Sequence, residues 1–309
     1  MAQPAKREYA EFYKFTPSGL VTYIQLLEDS DNPTRRHTVT FFDKSDKPTY
    51  HGEMTRHAKI RMRKALFLLL EIADKKKVIN PSTNKPFTFR LNFITLTLSS
   101  AQGTRTDKEI KKDLLEPFLR KMRAKGMKSY VWKAEQQKNG NIHFHIISDT
   151  WILYTDLRDI WNNLQEKEGL MEPFRAKFGH SDPNSTDVHA VRSENEAVKY
   201  LLKYMLKNDE ESQQLRLDKD YSDKAKGKVW DCSLNLKLPN QTADFLERSH
   251  WESIQKAVTK RQVEQLDRDF FKFFTYKRHK RRFLFPAKMM ADYEAYLHKV
   301  KTFSRHQEA

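Results

Sequence analysis

The chain has a single cysteine, Cys232, among 309 residues. It can therefore close no internal disulfide and build no zinc site from several thiolates. That usage fits a reducing, cytoplasmic setting. Long apolar runs are also missing. The longest is ALFLLL at 65 to 70, far short of the roughly 20 residues that a spanning helix needs. The opening MAQPAKREYAEF lacks the apolar stretch of a signal peptide, so a soluble, non-exported protein with no membrane partner is expected. Repeats of solenoid length and long low-complexity tracts are absent, which leaves periodicity and chain breakers as guides to organisation.

Positive charge is in excess. Lysine and arginine number 57 against 41 aspartates and glutamates, a formal charge of +16. An excess of this size favours polyanionic partners, of which nucleic acid is the commonest. A solvated lysine-rich surface would give the same count, so specific chemistry has to decide.

Three regions emerge along the chain. Residues 1 to 84 read as an N-terminal extension, with a short hairpin around 37 to 52 and a helix near 55 to 77 whose apolar residues Ile60, Ala65, Leu68, Leu69 and Ile72 recur at helical spacing. NPSTNKP at 80 to 86 breaks the pattern. Residues 85 to 236 alternate strands (92–98, 129–135, 141–148, 187–191) with helices (106–122, 155–165, 195–207), and KVWDCSLNL can be read as one further strand of the same sheet. Residues 237 to 309 read as a basic helical C-terminal region. The fold class expected is α+β: a central antiparallel sheet with flanking helices and an extension at each end.

NIHFHIIS at 141 to 148 alternates, so that Ile142, Phe144 and Ile146 face one side of a strand while His143 and His145 face the other. Two imidazoles on one face can share a metal ion, although a bare HxH is as easily a solvated strand face, and a third ligand is needed. Glu135 lies across the turn QKNGN. A two-residue Asn139-Gly140 turn would put it on the wrong face and bring Gln136 opposite His143. A three-residue loop, Lys138-Asn139-Gly140, with glycine left-handed, pairs Glu135 with His143, and this loop is the one predicted. His189, in DVHAV, is the competing third ligand. A carboxylate better matches Mg²⁺ or Mn²⁺, the cofactors expected, with no small-molecule cofactor besides.

YLLKYMLK at 200 to 207 repeats tyrosine-x-x-lysine, and helical geometry puts Tyr200, Lys203, Tyr204 and Lys207 in one stripe opposite an apolar face of Ala197, Val198, Leu201, Leu202 and Met205. Such a helix can simply carry tyrosines at the core rim and solvated lysines. Beside a metal site the same phenols become nucleophiles toward phosphorus, their free pKa near 10 explaining why help is needed.

Together these residues resemble the HUH endonuclease superfamily, whose RRM-like sheet carries three motifs in fixed order. FITLTLSS at 93 to 100 looks like the first, IHFHI at 142 to 146 with Glu135 upstream like the second, and YLLKYMLK like the third. Histidines before tyrosines is the order of replication initiators and not of relaxases. The paired tyrosines are similar to gene A type replication proteins of small single-stranded DNA phages and related plasmid initiators. The chain has no GxxxxGK[ST], so the helicase domain of eukaryotic viral relatives is missing and a host helicase is implied as partner. The cysteine-rich zinc modules of two-tyrosine transposases are also absent.

The resemblance implies that Glu135, His143 and His145 hold one Mg²⁺ or Mn²⁺, that Tyr200 or Tyr204 attacks single-stranded origin DNA to leave a 5′-phosphotyrosine and a 3′-hydroxyl for a host DNA polymerase, and that Lys203 and Lys207 stabilise phosphate charge. In DFFKFFTYKRHKRRFLF at 269 to 285, aromatics interleave with Lys277, Arg278, Lys280, Arg281 and Arg282. This stretch is expected to bind DNA and, as an amphipathic helix, to pack Phe270, Phe271 and Phe274. The rival readings are a two-tyrosine transposase, a non-catalytic sequence-specific DNA-binding protein, and a hydrolytic metal-dependent nuclease without a covalent intermediate.

Overall fold

A computed structural model describes residues 9–17, 19–26, 54–79, 83–137, 139–191, 228–239, 243–268, 271–276 and 281–303. In chain order the elements are β1 (Tyr9–Thr16), β2 (Gly19–Leu26), α1 (Arg56–Ile72), β3 (Lys76–Ile79), β4 (Pro86–Phe89) and β5 (Leu91–Thr97). Next come α2 (Asp107–Ile110), which runs through a π turn (Lys111–Leu115) into α3 (Glu116–Ala124), then β6 (Tyr130–Gln136), β7 (Ile142–Ser148), α4 (Tyr154–Lys167), α5 (Glu172–Phe178), β8 (Thr186–Val191) and β9 (Trp230–Cys232). The chain closes with a 3-10 turn (Leu234–Lys237), β10 (Asp244–Phe245), α6 (Arg248–Thr259), β11 (Val263–Arg268), β12 (Phe271–Tyr276), α7 (Arg281–Leu284) and α8 (Ala287–Thr302). The fold is α+β with antiparallel sheets, as expected. It divides into two compact units, residues 49–237 and residues 1–48 with 238–309.

The central unit holds a five-stranded sheet in the order β8-β5-β7-β6-β9, with every described neighbour pair antiparallel. The β9 strand expected from KVWDCSLNL is there, against β6. Residues alternate across the sheet. Ile94 and Leu96 of β5, Trp132 and Ala134 of β6, and Ile142, Phe144 and Ile146 of β7 face a core completed by Ile110, Leu114, Phe118 and Met122 below and by Leu157, Trp161 and Leu164 of α4. Thr106 starts α2 with a reciprocal cap: its hydroxyl accepts from the Glu109 N–H at 3.3 Å, while the Glu109 carboxylate accepts from the Thr106 N–H at 2.7 Å. In the π turn, buried Lys111 donates from Nζ to the Lys228 carbonyl at 2.8 Å, tying the helix to the chain entering β9. Helix α1 adjoins β6, β9 and the 3-10 turn. It therefore belongs to the central unit and not to a separate N-terminal extension.

The terminal unit departs from expectation. Its sheet runs β10-β1-β2-β12-β11, so the two ends of the chain form one structure where separate extensions were expected. Residues 237–309 are not wholly helical: FKFFTY at 271 to 276 is a strand paired with β2 and β11. In this segment Phe271, Phe273 and Thr275 alternate with Lys272, Phe274 and Tyr276, and aromatic and β-branched residues on a pleated surface outweigh the helical spacing of Phe270, Phe271 and Phe274. The hairpin expected at 37 to 52 lies outside the described residues. Another hairpin, β1–β2, was not foreseen.

Gly19 shows how closely β2 and β12 approach. A Cβ there would lie 2.3 Å from the Phe274 carbonyl oxygen and 3.1 Å from the Phe273 ring, and backbone cannot yield as a flexible side-chain tip can. Gly19→Ala should lower stability by about 1–3 kcal/mol in urea titration; a variant as stable as the parent would mean that this strand pair is looser than described.

Candidate metal centre

The hairpin between β6 and β7 sets the site. Glu135 pairs with His143, Lys133 with His145 and Gln136 with Ile142. The Gln137 N–H donates to the Asn141 carbonyl and the Gly140 N–H to the Gln137 carbonyl, both at 2.9 Å, and Gly140 is left-handed at φ 81°. The register is that of the predicted three-residue loop. Local contacts fix where β7 begins: Asn141 accepts from the Gln102 N–H at 2.8 Å and donates to the Ser100 carbonyl at 2.9 Å, and the Gln102 side-chain oxygen accepts from the Ile142 N–H at 2.9 Å.

The result is a cluster on the face away from the α2–α4 core. Ligand atoms of Glu135, His143 and His145 all lie within 4.8 Å of one another. The Nε2 atoms of the two histidines are 2.9 Å apart, and His145 Nε2 is 3.4 Å from Glu135 Oε2. Two nitrogens at that separation can share a proton or share a ligand. Donors about 2.1 Å from one ion and at right angles to each other stand about 3.0 Å apart, so the spacing fits adjacent positions of an octahedral divalent ion. The donor set, two imidazoles and one carboxylate, leaves further positions open.

Two threonines of β5 orient the rings. Thr95 Oγ1 is 3.3 Å from His145 Nδ1, and Thr97 Oγ1 is 3.3 Å from His143 Nδ1, as the strand pairing Thr95↔His145 and Thr97↔His143 requires. In a metal-bound centre each Nδ1–H would donate to its threonine and leave both Nε2 lone pairs for the ion, so that the threonines could fix tautomer and ring angle. The strand end is itself held, since Trp161 Nε1 donates to the Thr97 carbonyl at 2.7 Å.

Lys133 completes the electrostatics. Its buried ammonium pairs with Glu135 Oε1, so the carboxylate divides its oxygens between a lysine and a histidine. Burial alone would raise the Glu135 pKa. The hydrogen bond to His145 and the Lys133 charge outweigh it and hold the carboxyl down at about 2. Burial, with the charge of His145, pushes His143 down from its ordinary 6.5 to about 4 against the pull of Glu135, which keeps its imidazole neutral and able to ligate.

Not all expected residues join this site. His189 sits on β8 opposite Phe93, exposed, with Nε2 2.6 Å from Asp187 Oδ2, and is not one of the three clustered residues. Tyr200, Lys203, Tyr204 and Lys207 lie outside the described residues, as do Lys277, Arg278 and Lys280. Arg281 is buried with its guanidinium 4.9 Å over the Tyr293 ring. Arg282 is exposed and bonded to Glu294 at 2.9 Å. Thr95, Thr97 and Lys133 went unnoticed in the sequence. Their signal was the odd-numbered alternation of FITLT and VWKAE, readable once the partners of each strand are known.

Residues 91–209 match the model of a family described as Replication-associated protein, of the ORF2 and gene 2 protein type. This match, over less than half of the chain, supports a rolling-circle replication initiator family for the segment. No curated protein and no solved structure matches the chain. The replication segment starts at the first residue of β5 and contains the whole cluster of Glu135, His143 and His145, together with Tyr200, Lys203, Tyr204 and Lys207. Among the described residues of the chain, no helix is long and apolar enough to cross a membrane.

Two outcomes are expected of the metal centre. Thr95→Val and Thr97→Val should each weaken Mn²⁺ binding by about 10- to 100-fold in calorimetric titration while leaving the fold intact, as loss of a ring-orienting partner does; unchanged affinity would deny the threonines that role. His143 and Glu135 both titrate below their ordinary values of 6.5 and 4.5, so the unfolded chain takes up their protons first as pH falls. Metal-free protein should therefore lose stability from about pH 6.5 toward 4 through His143, and from about 4.5 toward 2 through Glu135. Thermal melts of His143→Gln in EDTA should lack the upper part of that slope.

Proposed function

We propose that the replication segment nicks single-stranded origin DNA by tyrosine attack and rejoins it, acting as a metal-dependent endonuclease and strand transferase. The observation that carries this reading is the convergence of Glu135, His143 and His145 within 4.8 Å inside the matched segment. These three residues would hold a divalent ion, Mg²⁺ or Mn²⁺, which would supply Lewis-acid polarisation of the scissile phosphate.

The remaining work falls to the chain. Tyr200 or Tyr204 attacks phosphorus with its phenolic oxygen; a P–O bond to tyrosine forms, the bond to the 3′ oxygen breaks, and the proton lost by the phenol balances the one gained by the new 3′-hydroxyl. Lys203 and Lys207, each three residues after a tyrosine, neutralise phosphate charge. The 5′-phosphotyrosine retains the phosphodiester energy, so rejoining needs no ATP. The second tyrosine cuts the regenerated origin while the released 3′-hydroxyl attacks the first phosphotyrosine and closes the circle. A host polymerase extends the free 3′ end, and a host helicase unwinds the duplex, since the chain has no GxxxxGK[ST].

The test is incubation with 5′- and 3′-labelled single-stranded origin oligonucleotides and Mn²⁺, followed by denaturing gels, for the parent, Tyr200→Phe, Tyr204→Phe and the double variant. A shifted band carrying the fragment downstream of the nick, lost in the double variant and in EDTA, is expected. Cleavage without an adduct would replace this reading with hydrolysis by activated water. No cleavage anywhere in the origin would leave a DNA-binding protein.

A further inference from the structure

We infer that the open face of the terminal sheet is a platform on which single-stranded DNA stacks its bases, built from Phe245, Phe12, Tyr23 and Phe271. The register places these four residues in one transverse row: Phe12 pairs with Phe245 on β10 and with Tyr23 on β2, and Tyr23 pairs with Phe271 on β12. Four neighbouring strands thus contribute one ring each. Strands are about 4.8 Å apart, so the row spans roughly 14 Å. Phe12 and Tyr23 stack with centroids 5.8 Å apart and planes 20° from parallel, and Phe12 and Phe245 lie 4.8 Å apart.

The opposite face carries the helices. There Tyr13 packs on His250 of α6, Phe15 on Tyr293 of α8, and Phe274 on Trp251 of α6. Two rings of the aromatic row are exposed, Phe245 by 54 % and Phe271 by 42 %, while Phe12 and Tyr23 between them are half-buried. Large rings left open on a sheet keep apolar surface in water, a cost that a partner removes by covering them.

Ring chemistry and charge select the partner. A row of aromatic rings at strand spacing on a sheet face is a surface against which splayed bases of any identity can stack. The adjoining row reads Lys14, Val21, Phe273 and Leu266, so a cation borders the rings. In the sequence, KRHK at 277 to 280 follows β12, in a chain of formal charge +16. A polyanion with aromatic bases meets both features, and the family of the central segment makes that polyanion DNA. This surface is distinct from the metal cluster and does not depend on whether the tyrosines cleave.

The experiment is fluorescence anisotropy of the full chain in EDTA with a labelled single strand of about 20 thymidines, and with an abasic strand of equal length. The variant Phe12→Leu with Phe271→Leu keeps apolar area but removes two π faces. It should bind the thymidine strand about tenfold or more weakly while binding the abasic strand as the parent does. Equal binding of thymidine by parent and variant, equal loss on both strands, or an oligomer that the variant dissociates without loss of thymidine binding would each overturn the inference. Photocrosslinking of the parent to a 5-iododeoxyuridine strand makes the test independent of the variant's folding. Adducts are expected at the four aromatic residues, and adducts confined elsewhere would count against the platform. A chain that stacks thymidine but fails to nick would leave this inference standing and remove only the proposed cleavage.

Discussion

The pairing of Glu135 with His143 is the constraint on which the rest of the site depends. Side chains on a strand alternate, so a slip of one residue between β6 and β7 would bring Gln136 opposite His143 and turn Glu135 toward the helices. Gly140 prevents the slip by taking the left-handed conformation that closes a three-residue loop, and the mutual bonds of Asn141 and Gln102 fix the start of β7. A few hydrogen bonds at a hairpin end thereby decide which groups face each other some 10 Å along the sheet, at the strand rise of about 3.4 Å per residue.

The sheet divides packing from chemistry by parity. Even-numbered residues of β5, β6 and β7 enter the core against Phe118 and Trp161, while odd-numbered neighbours present two threonines, a lysine, a carboxylate and two imidazoles to the other side. The two faces remain coupled. Trp161 belongs to the core, yet its indole N–H holds the Thr97 carbonyl at the strand end that orients His143. Rigid packing behind the sheet is thus a condition for ligand geometry in front of it. The pairing of buried Lys133 with Glu135 gives the carboxylate a standing cationic neighbour, one that an incoming metal ion must accommodate.

The convergence of Glu135, His143 and His145 was legible in the sequence because the three lie within one hairpin: alternation gave the face, and turn chemistry gave the register. Thr95 and Thr97 were not, because their roles depend on which strand lies beside β7, and that partner stands 50 residues upstream of His145. The terminal sheet was least legible of all. FKFFTY satisfies both helical spacing and strand alternation, and only its pairing with Gly19–Leu26, at the other end of the chain, settles the matter. Phe12 and Tyr23 carry no warning of their neighbours when read locally.

That closure of one sheet from both ends bears on the order in which the protein can form. The strands of the central sheet have all left the ribosome by Cys232, whereas β2 waits for Phe271 to Tyr276 before its second edge is covered. During synthesis β1 and β2 exist only as a hairpin, a structure with little stability in water by itself. The central unit is thus complete before the terminal unit can close, and a ribosome stalled between the two would display an aromatic hairpin with an unpaired edge, the kind of surface that nascent-chain chaperones bind.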